Sequence, residues 1–122
     1  MSTFLGLRSA FYMVSDINKG KEWYSDVLGI KPYFDEPFYV GFNLGGFELG
    51  LQPIEDENAA SGGGNAYWGV EDIDSIFKKL IDKGATEIEK PNDVGGGIKV
   101  ASVKDPWGNV IGIIYNPHFK VE

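Results

Sequence analysis

The chain has 122 residues, which suffices for one domain or for two small modules that share a core. Its 18 acidic and 11 basic residues give a formal net charge of −7, and such a negative surface disfavours binding to the phosphate backbone of nucleic acids. The absence of cysteine excludes disulfides, thiolate metal ligands and a cysteine nucleophile.

The sequence also indicates where the protein resides. No apolar run approaches the roughly 18 residues that cross a bilayer, and no basic, hydrophobic signal peptide opens the chain. We therefore expect no membrane partner. A cytoplasmic location is the expectation that agrees with these features and with the lack of cysteine.

The first half of the chain predicts a strand, a helix and three further strands. An apolar run at 7–14 indicates the first strand, and Asp16 is a good N-cap for a helix that ends at Gly29. Gly20 lies on the apolar face of this helix, where a close contact with the sheet would explain a residue that disfavours helices. The remaining strands are predicted at 31–34, 39–44 and 47–51, with a turn at 35–37 and a hairpin at Gly45-Gly46.

The second half repeats this order, since Val14-Ser15-Asp16-Ile17 recurs as Val70-Glu71-Asp72-Ile73. After a strand at 65–70, Asp72 caps a helix that stops at Gly84. The apolar face of that helix consists of Ile73, Ile76, Phe77, Leu80 and Ile81. Then follow a weak strand at 85–89, a loop at 91–97, and strands at 98–104 and 110–115 that are joined by a turn at 105–109. The glycines at 95–97 form either a turn or a mobile segment over a site.

The stretch 55–64 is acidic and then glycine-rich, and it is the best candidate for a linker. It divides the chain into a first module at 1–54 and a second module at 65–122. Its glycines do not form a phosphate-binding loop, because they precede a strand and no Lys-Ser/Thr pair follows. The sequence therefore predicts an α+β fold of two βαβββ modules.

Three passages resemble the vicinal oxygen chelate superfamily, which contains glyoxalase I, the extradiol dioxygenases and the bleomycin-resistance proteins. The passages run from Val14 to Gly29, from Trp68 to Ala85, and through Lys104-Asp105-Pro106-Trp107-Gly108-Asn109-Val110-Ile111. The resemblance implies one glyoxalase/bleomycin-resistance-like domain, in which each module is a curled mixed sheet with a helix packed on it. The two sheets would then form a cup-shaped site. The resemblance also implies a homodimer, with the cups built within one chain or between two chains.

Metal-using members of this superfamily place four ligands in the cup, usually His, Glu or Gln. The matching positions here are Ser9, Glu48, Asn65 and Gly112, and only Glu48 is a common ligand type. Serine and asparagine are poor ligands for a transition metal, and glycine has no side chain. The sole histidine, His118, lies beyond the last strand and matches none of the four. We therefore expect no metal ion and no other cofactor.

The same comparison predicts which side chains face the cup, because successive residues of a strand point to opposite faces. Leu7, Gly50, Gly69 and Val110 should line it. The candidates for ligand binding are Ser9, Phe11, Met13, Glu48, Gln52, Asn65, Tyr67, Gly112 and Ile114. The opposite faces, which should pack under the helices, include Tyr12, Trp68, Ile111 and Ile113. An apolar, aromatic cup with few polar groups suits a small organic ligand.

These features favour a metal-free protein that binds a small organic molecule, similar to the bleomycin-resistance branch. One alternative is a glyoxalase I-like lyase or isomerase, or a dioxygenase, that uses a divalent metal or employs Glu48 as a general base. Glu48 could equally be a half-exposed strand residue without a catalytic role. Another alternative is a non-catalytic module for ligand sensing or dimerisation. All of these remain open at the level of the sequence.

Overall fold

The computed structural model describes residue 3, residues 7–54 and residues 66–118, so the predicted linker lies outside the described residues. The chain divides into two compact units, Met1–Ala60 and Ser61–Glu122. In the described part of each unit, one strand and one helix are followed by three further strands.

The first unit is a mixed four-stranded sheet with one helix. Its elements are β1 (Ser9–Val14), α1 (Ile17–Leu28), β2 (Phe34–Glu36), β3 (Tyr39–Leu44) and β4 (Phe47–Pro53). The strand order is β1-β4-β3-β2, with β1 parallel to β4 and the other pairs antiparallel. Residues Gly45 and Gly46 have φ values of 61° and 94° and form the predicted hairpin between β3 and β4.

Helix α1 begins and ends where its sequence predicts. The Asp16 carboxylate accepts hydrogen bonds from the backbone N–H groups of Asn18 (3.0 Å) and Lys19 (3.1 Å), which have no partner within the helix. Gly29 ends the helix in the left-handed conformation, at φ 72°. A Cβ atom on Gly20 would lie 3.1 Å from Cγ2 of Val14, so the glycine allows the close approach of helix and sheet that we predicted.

The second unit repeats the arrangement. Its elements are β5 (Tyr67–Gly69), α2 (Ile73–Asp82), β6 (Thr86–Gly95), β7 (Ile98–Lys104) and β8 (Val110–Tyr115). The strand order is β5-β8-β7-β6, and β5 is parallel to β8. The predicted α+β fold of two βαβββ modules, each with a helix on a mixed sheet, is thereby confirmed.

The turn between β7 and β8 is organised by a buried carboxylate. Asp105 is 4% exposed, and its Oδ1 accepts hydrogen bonds from the backbone N–H groups of Trp107 (2.9 Å) and Asn109 (2.8 Å). Its Oδ2 accepts another from Nδ2 of Asn109, at 2.8 Å. Gly108 supplies the positive φ of 90° that the turn requires. The predicted turn at 105–109 is therefore confirmed, with its two polar side chains buried.

Two predicted boundaries are wrong. The strand expected at 31–34 and the turn expected at 35–37 are displaced, because β2 covers Phe34–Glu36 and the turn lies at 37–38. The weak strand at 85–89 and the loop at 91–97 are largely a single strand, β6. This strand lies at the sheet edge and pairs with β7 through three register irregularities, and such edges tolerate proline. The glycines at 95–97 end β6 in a turn, with φ values of 117°, 65° and 80°.

The core of each unit lies between its sheet and its helix. In the first unit it consists of Tyr12, Val14, Tyr24, Val27, Val40, Phe42, Leu49 and Leu51. In the second unit it consists of Ile73, Leu80, Ala85, Ala101, Val103, Ile111 and Ile113. Neither α1 nor α2, the helices of the described residues, has the length and apolarity that a membrane span needs.

Candidate functional site

The face of the first sheet that is turned away from α1 carries the polar and aromatic side chains that the sequence nominated. The register places Ser9 beside Glu48, Phe11 beside Gly50, and Met13 beside Gln52. Phe11 is 50% exposed, whereas the adjacent Tyr12 is 4% exposed because it points to the helix side. The alternation predicted for β1 and β4 therefore holds within this unit.

The carboxylate of Glu48 is held by two phenol groups on this open face. The Tyr39 hydroxyl donates to Oε1 at 2.6 Å, and the Tyr33 hydroxyl donates to Oε2. Tyr39 is the first residue of β3, while Tyr33 precedes β2 and is positioned by its backbone N–H, which donates to the Gly41 carbonyl at 2.9 Å. Each oxygen of the carboxylate thus accepts one phenol hydrogen.

Two paired glycines make room for this arrangement. Gly41 and Gly50 lie opposite each other in the β3–β4 pair. A Cβ atom on Gly41 would lie 3.0 Å from Oε2 of Glu48, and a Cβ atom on Gly50 would overlap the phenol of Tyr39. The phenols and the carboxylate therefore pack directly against the backbone of Gly41 and Gly50. A larger residue at either position would displace them.

Further aromatic rings lie next to Tyr39, one of the two residues that bind the carboxylate. The ring of Tyr39 lies 6.0 Å from that of Phe11 and 5.9 Å from that of Phe34, which in turn lies 6.2 Å from Phe38. Phe38 is 66% exposed and Tyr33 is 62% exposed, which is unusual for large apolar or aromatic side chains. We refer to Phe11, Tyr33, Phe34, Phe38, Tyr39 and Glu48 as the aromatic-carboxylate cluster.

Burial raises the pKa of the Tyr39 phenol above its usual value of about 10. The folded state therefore keeps this phenol protonated at pH values where the unfolded chain has released the proton. The resulting stabilisation is complete below about pH 10 and is lost as the pH rises through the higher pKa of the folded state. We expect the free energy of unfolding to fall less steeply above about pH 10 in Tyr39→Phe than in the native protein. Urea titrations across this range measure the difference, and identical slopes would contradict the assignment.

Three of the four positions that match the superfamily's metal ligands, Ser9, Glu48 and Gly112, lie in the described residues, and these three offer few groups to a metal ion. Ser9 offers a hydroxyl next to Glu48, both Glu48 oxygens already accept phenol hydrogens, and Gly112 offers no side chain. Asn65 lies outside the described residues. Within the described part of either unit, no three His, Asp or Glu side chains come together in a group that could hold an ion.

The open face of the second sheet carries the remaining candidates. Tyr67 lies beside Gly112 and is 46% exposed, and Gly69 lies beside Ile114. A Cβ atom on Gly112 would lie 2.6 Å from the Tyr67 ring and 2.7 Å from the backbone oxygen of Ala66. We predicted that Ser9 and Glu48 of the first unit lie close to Asn65 and Gly112 of the second unit. This proximity of residues from different units stays a prediction.

A surface groove beside α1 and the side chain of His118 lie outside the aromatic-carboxylate cluster. An open groove of about 710 Å³ is lined by α1 and the loop that follows it, and it contains none of the cluster residues. One wall of this groove holds the ion pair between Lys21 and Asp35, at 3.1 Å. His118 is exposed, and its ring Nε2 lies 2.7 Å from the Gly96 carbonyl oxygen. Neither feature belongs to the predicted site.

Sequence reasoning missed the two tyrosines that bind Glu48. Tyr39 was detectable, because a two-residue hairpin at Gly45-Gly46 fixes the register and brings Tyr39, Gly41 and Glu48 onto one face. Tyr33 carries no such signal, since it precedes β2 and reaches Glu48 only through the path of the chain around that short strand.

The comparisons with known proteins agree with this architecture. The family model described as the Glyoxalase/Bleomycin resistance protein/Dioxygenase superfamily matches residues 6–113. A probable lactoylglutathione lyase from Synechocystis sp. is 32% identical over 115 residues, which cover 83% of this chain and 88% of that protein.

Solved structures share the fold at low sequence identity. A glyoxalase-related enzyme from Fulvimarina pelagi has a TM-score of 0.79 and 18% identity, covering 98% of this chain and 94% of that one. A lactoylglutathione lyase from Agrobacterium tumefaciens has a TM-score of 0.75 and 17% identity, covering 97% of this chain and all of that one. The match to the family model and the 32% identity to the Synechocystis protein show membership of the family in addition to a shared fold. The chain belongs to the glyoxalase/bleomycin resistance protein/dioxygenase superfamily, the vicinal oxygen chelate group that its motifs resemble.

Proposed function

We propose that this chain binds a small organic molecule at the aromatic-carboxylate cluster and that it does so without a metal ion. The observation that carries the proposal is the hydrogen bonding of Glu48. Among the four positions that match the family's metal ligands, Glu48 is the one occupied by a common metal-ligand residue. Both of its oxygens accept phenol hydrogens, from Tyr33 and Tyr39. A divalent cation at Glu48 would have to compete with these two donors while its other ligand positions offered little.

The surroundings of Glu48 support an organic ligand. The exposed rings of Phe11 and Phe34 lie beside Tyr39, and the exposed ring of Phe38 lies beside Phe34. Exposed aromatic side chains grouped around a few polar atoms are typical of small-molecule sites. The paired glycines at 41 and 50 allow the Tyr39 phenol and the Glu48 carboxylate to pack directly against the sheet. A flat or aromatic ligand could therefore lie against the rings while its polar group meets Glu48.

The metal-free part of the proposal is tested by elemental analysis. Protein purified without chelators should contain far less than one transition-metal ion per chain, and added Zn²⁺, Ni²⁺ or Mn²⁺ should leave the melting temperature unchanged. A stoichiometric ion, released by EDTA together with a fall in melting temperature, would overturn it.

The ligand-binding part is tested by thermal shift with a panel of aromatic small molecules. A ligand present at about 100 times its Kd should stabilise the protein by about 2.7 kcal/mol. Phe11→Ala should weaken that stabilisation, whereas Ile88→Ala, which truncates an exposed apolar residue of β6, should not. If no compound of the panel stabilises the native protein, or if both variants behave alike, this part fails.

A second candidate is a lyase activity, which the 32% identity to the probable lactoylglutathione lyase from Synechocystis favours. In that case Glu48 would serve as a metal ligand or a general base. The test is an assay for lactoylglutathione formation or breakdown, with and without added divalent ions. Turnover that Glu48→Gln abolishes would establish this candidate in place of the binding function.

A further inference from the structure

We infer that the aromatic-carboxylate cluster selects a ligand with a cationic nitrogen that carries N–H groups, such as an amidinium or ammonium on an apolar body. The inference rests on the proposed function, because it names the chemical class of the molecule bound at that same site. It follows from the direction of the hydrogen bonds around Glu48 and from the rings beside it.

The three polar side chains of the cluster present only acceptors to an incoming ligand. A phenol has one hydrogen, and Tyr33 and Tyr39 both give theirs to Glu48. Their oxygens therefore keep only lone pairs. An ionised carboxylate has about four acceptor positions, so about two remain on Glu48 after the phenols are bound. A ligand that donates hydrogen bonds is favoured there, and one that only accepts them is disfavoured.

The charge of Glu48 is not matched by a basic residue of the described chain. The side chain of Glu48 accepts hydrogen bonds from the phenols of Tyr33 and Tyr39, while Lys21 and Lys78 form ion pairs with other carboxylates, Asp35 and Asp82. Hydrogen bonds from phenols leave the formal negative charge in place. A cationic ligand group would therefore gain a charge-assisted hydrogen bond, and a planar amidinium could make two in parallel.

The aromatic rings next to Tyr39 favour a ligand that has an apolar body as well as a cationic group. Phe11 and Phe34 flank Tyr39 at centroid distances of 6.0 Å and 5.9 Å, and Phe38 extends the aromatic surface from Phe34. Aromatic faces attract cations within about 6 Å and also cover apolar carbon atoms. The cluster thus combines a surface for an apolar body with an acceptor and a negative charge at one end.

Three probes of nearly equal shape test the charge preference: benzamidine, which is a cation at pH 7, neutral benzamide and anionic benzoate. Their affinities for the full-length protein are measured by calorimetry or by chemical shifts of the ring protons. We expect benzamidine to bind at least about tenfold more tightly than benzamide, as expected for a hydrogen bond to a charged group, and benzoate to bind most weakly. Equal binding of benzamidine and benzamide would overturn the inference.

Two substitutions in the cluster and one control outside it test whether Glu48 causes the preference for benzamidine. Glu48→Gln should reduce the affinity for benzamidine to that for benzamide, while Glu22→Gln, which neutralises an exposed carboxylate of α1, should leave it unchanged. Tyr33→Phe keeps the ring but frees a lone pair on Glu48, so the preference for benzamidine should persist or increase. Loss of the preference in Tyr33→Phe, or its persistence in Glu48→Gln, would contradict a role for the carboxylate.

The outcomes separate this inference from the proposed function. If benzamide and benzamidine bind equally and Phe11→Ala weakens both, small-molecule binding stands and the selection for cations is overturned. If none of the three probes binds, the inference is overturned, and the thermal-shift panel and the metal analysis decide the proposed function independently.

Discussion

Replacing Asp105 with alanine is expected to lower the free energy of unfolding by about 2–4 kcal/mol, because it leaves buried donors without their acceptor. The carboxylate accepts from the backbone of Trp107 and from both the backbone and the side chain of Asn109, and it is almost fully buried. Urea unfolding followed by circular dichroism measures the loss, and an unchanged m value shows that the unfolded state is unaffected.

Asp93 provides a matched control for this prediction. Its Oδ1 accepts a hydrogen bond from the backbone N–H of Gly95 at 2.7 Å, which is the same local motif in an exposed position. Water can replace that acceptor, so Asp93→Ala should change the free energy of unfolding by less than about 1 kcal/mol. Equal losses in the two variants would mean that the turn owes nothing to the burial of Asp105.

Replacing Gly112 with alanine is expected to cost about 1–3 kcal/mol, the range typical of overpacking in a closely packed region. The added methyl group would lie 2.7 Å from the Ala66 backbone oxygen, which accepts the Gly112 N–H at 3.0 Å, and 2.6 Å from the ring of Tyr67. The ring can rotate away, but the backbone oxygen can move only if β5 separates from β8.

Gly69 is the control for this substitution, because its side-chain position faces open space with no atom within 4 Å. Gly69→Ala lies on the same face of the same strand pair and should be within about 1 kcal/mol of the native protein. The comparison also bears on metal binding. Gly112 occupies a family ligand position, and the same contact with Ala66 should prevent Gly112→Glu from restoring a metal ligand without loss of stability. Zn²⁺ titration of that variant, with melting temperature as the readout, checks this.

Much of the fold could be predicted because its signals are local. Asp16 and Gly29 bound α1 at the predicted residues, since an N-cap carboxylate and a left-handed glycine act on their immediate neighbours. Gly45 and Gly46 fixed the hairpin in the same way. The recurrence of Val14-Ser15-Asp16-Ile17 as Val70-Glu71-Asp72-Ile73 then predicted two modules with one order of elements.

The parts that could not be predicted depend on partners distant in the sequence. The strand β6 contains Pro91 and ends at Gly95, the first of three glycines, and this composition predicts a loop unless one knows that the strand lies at an edge of the described sheet. The hydrogen bond from Tyr33 to Glu48 likewise joins residues that no sequence period relates. The prediction of Glu48 as a site residue rested on the superfamily resemblance, and the two phenols that determine its chemistry became visible only in three dimensions.

The strand orders described above have a consequence for how the chain is made. Among the described strands, the earliest one of each sheet, β1 or β5, is hydrogen-bonded only to the latest one, β4 or β8. On the ribosome β1 can therefore pair with β4 only after β4 has emerged, and the chain between them must close into a long loop for the two strands to meet. The four described strands of the first unit precede residue 54, so they can form their sheet while the second half is still being translated.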